Sequence, residues 1–147
     1  MGTKTTTSKK PVASVPTGVV FHDSVAVTNA DIDAADVIQP VKVPAGTYVH
    51  RVRTKTTELD SNVSPSLTAK IGFTPCDGSA APSGADTAVA STAAWGQNAE
   101  VKEYDVIPPY LVEKDSWLNI VIGTGAATEA ATGTVYGAVE GQCHGVA

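Results

Sequence analysis

The segment Val37–Thr57, VIQPVKVPAGTYVHRVRTKTT, limits the fold more than any other part of the chain. Strand side chains alternate between two faces, so an extended chain here carries Val37, Gln39, Val41 and Val43 on one face and Ile38, Pro40 and Lys42 on the other. Pro44-Ala45-Gly46 interrupts the pattern. Proline fixes φ and glycine reaches unusual φ, so the tripeptide reads as a tight turn or sharp bend. Thr47, Tyr48, Val49, Val52 and Thr54 then resume a run of β-branched and aromatic residues, which suit a pleated, half-buried surface. Two such strands need further strands to pack against.

The rest of the chain supplies them. Val19, Phe21, Val25 and Val27 alternate along Val19–Thr28. Leu67, Ala69, Ile71 and Phe73 alternate with Ser66, Thr68, Lys70 and Gly72, the clearest half-buried strand in the sequence. Gln97–Val106 reads as a strand ended by Pro108-Pro109, with Tyr110–Lys114 a short extended piece. Leu118, Ile120 and Ile122 share one face of Trp117–Ile122. Val135 and Val139 share one face of Thr134–Val139, with Tyr136 on the other. Turn residues separate these runs at the spacing of all-β sandwiches and barrels, and the expected architecture is a jelly-roll-like β-sandwich of seven to eight strands. A length of 147 residues suits one domain with a real core.

Three connections stand out. Met1–Thr17 is rich in Thr, Ser, Lys and Pro without apolar periodicity, so residues 1–17 are expected to form a flexible, extended arm and residues 18–147 the sandwich domain. Thr74–Ala94 is a long insertion broken by Pro75, Gly78, Pro82 and Gly84. Asp86–Ala94 is expected to form a short helical turn capped by Asp86. Trp95 closes it, as a plug over the core edge or as a partner contact. Gly123–Gly133 is expected to be a flexible hairpin connection.

No chemistry of catalysis or metal binding emerges. His22, His50 and His144 have no nucleophile at a productive spacing, and no nucleophile elbow is present. Asp31, Asp33 and Asp36 look like a calcium loop. Counted from Asp31, however, the positions that need Gly and Glu hold Asp36 and Lys42. Cys76 and Cys143 lack zinc spacing and are expected to be free thiols. No enzyme activity, cofactor or metal is expected. A net charge of −5 argues against nucleic acid as a partner. The absence of a long apolar run argues against a membrane span, and the absence of an apolar leader against secretion. Lys4, Lys9 and Lys10 make the first ten residues basic. Arg51, Arg53 and Lys55 alternate along one strand. They form either a solvated face that guards an edge or a basic stripe for an acidic partner, such as Glu100, Glu103 or Asp105 of a second copy.

One ordered set of segments carries a resemblance: Val37-Ile38-Gln39, Val43-Pro44-Ala45-Gly46-Thr47, Leu67–Phe73, Asp115–Ile122 and Gly133–Val139, spread over about two thirds of the chain. In this order and in a chain of this size, the set resembles the small head decoration, or cement, proteins of tailed bacteriophages. The resemblance implies a structural virion protein, made in the bacterial host cytoplasm and located on the outer capsid surface, where it cements neighbouring major capsid protein subunits. Its implied partners are the major capsid protein and itself, as a trimer or, second, a dimer. Candidate interface residues are Lys4, Lys9 and Lys10 of the arm, with Arg51, Arg53, Trp95 and Tyr110 of the body. The alternative is a carbohydrate- or receptor-binding jelly-roll module of a tail or fibre. That reading requires Trp95, Tyr104, Tyr110 and Trp117 to cluster on an exposed, concave face.

Overall fold

The computed structural model describes residues 2–6 and 18–143. Ten strands run in the order β1 (Thr3–Thr5), β2 (Val19–Thr28), β3 (Val37–Gln39), β4 (Lys42–Val43), β5 (Thr47–Thr56), β6 (Thr68–Pro75), β7 (Ala90–Ala94), β8 (Glu100–Val112), β9 (Ser116–Ile122) and β10 (Thr132–Cys143). One sheet has the order β2-β10-β5-β8. The other has the order β1-β3-β9-β6-β7, with β4 also on β9. With β3 and β4 taken as two halves of one interrupted strand, the eight strands from β2 onward switch sheet at every connection except β6 to β7, which pair as neighbours in one sheet, as in a jelly-roll-like fold. The connections consequently gather at two ends. Residues 29–36, 57–67, 95–99 and 123–131 lie at one end, and residues 44–46, 76–89 and 113–115 at the other.

Alternation builds the core between the sheets. Val19, Phe21, Val25, Val27, Val49, Val52, Val135 and Val139 are buried from one sheet. Ile38, Val41, Val43, Leu67, Ala69, Ile71, Phe73, Leu118, Ile120 and Ile122 are buried from the other. Each full burial of a Val, Ile, Leu or Phe side chain favours folding by about 1.5–3 kcal/mol, so this layer holds the sandwich together. Trp95 is the largest side chain in it, and its Nε1 donates to Thr54 Oγ1 at 3.1 Å.

The bend at Pro44-Ala45-Gly46 is present and carries the chain from one sheet to the other. Gly46 has φ 84°, and the Ala45 N–H donates to Asp115 Oδ1 at 2.9 Å. The alternation expected before it does not run through. Five residues from Ile38 to Lys42 face four from Trp117 to Ile120, so the chain bulges around Pro40. The phase shifts there: Ile38, Val41 and Val43 point into the core, while Val37 is only half-buried.

Pro108-Pro109 does not end its strand. β8 continues to Val112 through a cis Ile107–Pro108 bond, with a register shift against β5. An edge strand tolerates proline because one side of its backbone is unpaired. The expected helical turn shrinks to Ala85–Thr87, and Ala90–Ala94 is the edge strand β7. Residues 123–131 join strands of different sheets and are not a hairpin. At the N-terminus, Thr3–Thr5 pairs in parallel with β3, and the Gly2 N–H donates to the buried Asp36 at 2.7 Å. The remainder of the expected arm, residues 7–17 with Lys9 and Lys10, lies outside the described residues.

Candidate interaction surface

The two sheets differ in what covers their outer faces. On the β6 side the insertion folds back over the sheet. A Cβ on Gly72 would sit 2.1 Å from the Ala85 carbonyl oxygen, so only glycine allows this approach, and Lys70 Nζ reaches Asp86 at 3.0 Å. Nearby Gln39 donates to Asn119 at 3.0 Å and accepts from Thr5.

Among the described residues, nothing folds over the outer face of β2-β10-β5-β8. Register arranges its side chains in rows: Ser24–Tyr136–Lys55–Val101, then His22–Ala138–Arg53–Glu103, then Val20–Glu140–Arg51–Asp105. A fourth row holds Gln142–Tyr48–Leu111. The basic residues of β5 do share one face, but they are not an unpaired stripe. Arg51 Nε donates to Asp105 at 3.2 Å. Arg53 lies between Glu140, to which it donates a hydrogen bond, and Glu103 at 3.9 Å. Lys55 lies over the Tyr136 ring at 5.8 Å. These cross-strand pairs neutralise the face within one molecule.

Small residues at Ser24 and Ala138 leave a shallow depression of about 440 Å³, walled by His22, Arg53, Lys55, Tyr136 and Val101. Six of the seven exposed large apolar residues among those described belong to this sheet: Val20, Tyr48, Val101, Ile107, Leu111 and Tyr136. The seventh, Val63, is fully exposed at the tip of the 61–66 loop.

The sequence-predicted residues scatter. Lys4 lies on β1 and reaches Asp31 at 3.9 Å. Arg51 and Arg53 lie together on the open face. Trp95 is a core side chain, 1% exposed, because its ring fills the space between the sheets and its N–H is already bonded; it offers no contact surface. Tyr110 is half-buried and stacks on Phe73 with ring centres 5.2 Å apart. Tyr104 and Trp117 are half-buried too. The exposed aromatics of the open face are Tyr48 and Tyr136, and three rows separate them, roughly 20 Å at strand rise. That is not a sugar-stacking platform.

Among the described residues, no group of three or more His, Cys, Asp or Glu could hold a metal, and no helix is long and apolar enough to cross a membrane. His22 and His50 are exposed on the open sheet, and His144 lies outside the described residues. The aspartates of residues 31–36 fix the turn. Asp31 accepts from the Thr28 N–H at 2.7 Å, and Asp36 accepts from Gly2 and Asp33. Cys76 and Cys143 are free and half-buried, and burial pushes the Cys76 thiol up.

One residue that organises the surface was not singled out from sequence. Asp60 is fully buried and accepts five backbone N–H groups: Asn62 and Thr128 on Oδ1, Ser66, Leu67 and Ala127 on Oδ2, at 2.8–3.3 Å. Burial pushes its carboxyl up, but the N–H groups of Ala127, Thr128, Ser66 and Asn62 outweigh that and hold it at about 2. Asp60 thereby ties the 61–66 loop to the 123–131 loop and fixes Val63 at the tip. The sequence signal was slight: an Asp opening a loop rich in Ser and Asn.

No protein-family model and no curated protein matches the chain. Solved structures do. A chain of the cyanophage Pam1 capsid asymmetric unit superposes with a TM-score of 0.70 at 24% identity, over 95% of this chain and 98% of that one. A chain of the capsid of Ralstonia phage GP4 gives 0.77 at 18% identity, over 95% and 93%. The acid-stable capsid structure of Helicobacter pylori bacteriophage KHP30 contributes a third match, 0.53 at 10%, over 89% and 91%. The fold is shared with chains of three phage capsids. At these identities the likeness is one of fold.

Proposed function

We propose that this chain is a structural, non-enzymatic virion protein. It binds the outer surface of a phage capsid and cements neighbouring major capsid protein subunits. The observation that carries the reading is the end-to-end likeness of fold to chains of three capsid structures, each nearly fully covered, so that the matched chains are themselves of about this size. The physical design is compatible. A cement subunit needs a rigid body and contact surfaces, not an active site. Here the body is a two-sheet core, and the contact surfaces are an open sheet face and the loop end fixed by Asp60. Many copies on a shell turn weak single contacts into a strong lattice.

The N-terminal segment, with Lys4, Lys9 and Lys10, is the second proposed contact. A strand edge that pairs through backbone hydrogen bonds is a common way to join chains, and β1, paired with β3 on one side, is the edge of its sheet. The carbohydrate-binding alternative loses ground, because Trp95 is in the core and the exposed tyrosines lie far apart.

The test of cementing is shell stability. Undecorated shells mixed with the purified protein are expected to withstand higher temperature before opening, as followed by release of packaged dye. Shells that open at the same temperature with and without the protein refute the proposal.

A further inference from the structure

We infer that the outer face of the β2-β10-β5-β8 sheet joins two copies of this chain, stacked face to face about a twofold axis that runs along the strands between β10 and β5. The inference rests on reading the chain as a self-associating structural subunit, and it selects the dimer over the trimer.

Charge and register carry the argument. The chain has a net charge of −5. The rows carry Arg51, Arg53 and Lys55 against Glu103, Asp105 and Glu140, so the row side chains sum to zero in formal charge, with Asp23 the one further acid that borders the depression. Two strongly acidic molecules repel almost everywhere else, whereas this face meets its own copy without net repulsion.

The rows then complement themselves. Rotation about an axis along the strands leaves position along each strand unchanged, so every row meets the same row of the partner copy. β10 of one copy lies over β5 of the other, and β2 over β8. Glu140 then meets Arg51, Tyr136 meets Lys55, and His22 meets Glu103. These are an ion pair, a cation–π pair and a hydrogen-bonding pair. Ala138 meets Arg53, whose side chain has the depression beside Ala138 to enter. Two row elements, Val20 against Asp105 and Ser24 against Val101, are mismatched. An axis between β5 and β8 would overlap only two strands of each copy and leave Tyr136 and Val20 uncovered.

The apolar residues agree. Val20, Tyr48, Val101, Leu111 and Tyr136 are exposed around the charged rows, and Ile107, 85% exposed, lies on the bulge of β8 at the rim. An interface with apolar groups beside compensated charges is a workable contact, and contiguous exposed apolar groups mark such sites. Size sets the strength. Four strands about 4.8 Å apart and rows spanning about seven residues give a footprint of roughly 19 by 23 Å. Side-chain relief brings the total burial of both copies to about 1,000 Å², the lower end for specific interfaces. The dimer is therefore reversible, with a Kd in the micromolar range, and gains strength where a shell concentrates the copies.

The experiment is sedimentation of the full chain from about 1 to about 500 µM. Expected is a monomer–dimer equilibrium within that span. Ala138→Arg, which puts a second cation opposite Arg53 at the centre of the face, is expected to weaken it by at least about tenfold. Lys55→Ala alters only an exposed side chain, so it covers the case in which Ala138→Arg misfolds. It is expected to weaken the dimer about threefold or more by removing the contact to Tyr136. Val63→Ser, at the far loop end, leaves the equilibrium unchanged. A chain that stays monomeric at the highest concentration, a trimer, or a dimer indifferent to the folded face variants overturns the inference. Shell binding is measured separately: a monomeric protein that still binds shells refutes the dimer and leaves the capsid reading standing.

Discussion

Replacing Asp60 with asparagine tests the principal device that shapes the loop end. The carboxylate is buried and holds five backbone N–H groups, three of them on Oδ2. Asparagine keeps one acceptor and turns an N–H₂ toward the other set. The orientation that costs least turns the N–H₂ toward Asn62 and Thr128, which then lose their acceptor, and donors face donors. An unsatisfied buried donor costs about 1–3 kcal/mol, and relief by water at the loop end offsets part of that, so the expected loss is about 3 kcal/mol. For a domain of this size that lowers Tm by roughly 10 °C.

The pH dependence supplies a second check. The folded carboxyl sits at about 2 against an ordinary 3.8. A depressed folded pKa means that the contribution is complete above the ordinary value. It is lost as pH falls from about 4 toward 2. At about 1.4 kcal/mol per unit, and discounted for nearby solvent, this is about 1–2 kcal/mol. Urea unfolding of both proteins at pH 7 and at about pH 2.5 measures it. The gap between wild type and Asp60→Asn is expected to narrow at the acid pH, since other carboxylates titrate in both. A loss below about 1 kcal/mol at pH 7, or a gap independent of pH, refutes the reasoning.

Four further substitutions and one deletion follow from the packing. Trp95→Ala is expected to cost about 3–5 kcal/mol, and Trp95→Phe about 1–2 kcal/mol through the Thr54 hydroxyl left unbonded, both by urea unfolding. Deletion of residues 1–17 removes β1 and the Gly2–Asp36 bond, so the sandwich is expected to fold with about 1–3 kcal/mol less stability and to attach to shells more weakly; unchanged attachment removes the arm from the proposal. Cys76→Ser and Cys143→Ser are each expected to shift stability in reductant by less than about 1 kcal/mol, because both thiols are free and only half-buried.

Local periodicity was legible in the sequence. The inward sets Val19, Phe21, Val25 and Val27, then Leu67, Ala69, Ile71 and Phe73, then Leu118, Ile120 and Ile122, are all buried as alternation dictates. Tyr136 faces out, and Arg51, Arg53 and Lys55 share a face, for the same reason. What depends on partners distant in the chain was not legible. The pairing of Arg53 with Glu140 and Glu103 needs the register of three strands. Asp60 finds Ala127 and Thr128 across the gap between sheets, and no local pattern announces it. Proline misled twice, once at Pro40, where a strand bulges, and once at Pro108-Pro109, where an edge strand continues. In both places the unpaired side of the backbone decided, and that is a property of the sheet. Trp95 was open to two readings because its sequence neighbours are small and polar; its place in the core is fixed by partners distant in the chain, the Leu67 carbonyl beside it and the Thr54 hydroxyl of the other sheet.

Binding to the shell is the central claim, and co-sedimentation with expanded, undecorated phage shells tests it most directly. The account predicts that the protein pellets with shells, saturates at a fixed ratio to the major capsid protein and stays in solution when shells are absent. A protein that remains in the supernatant at every shell concentration contradicts the account.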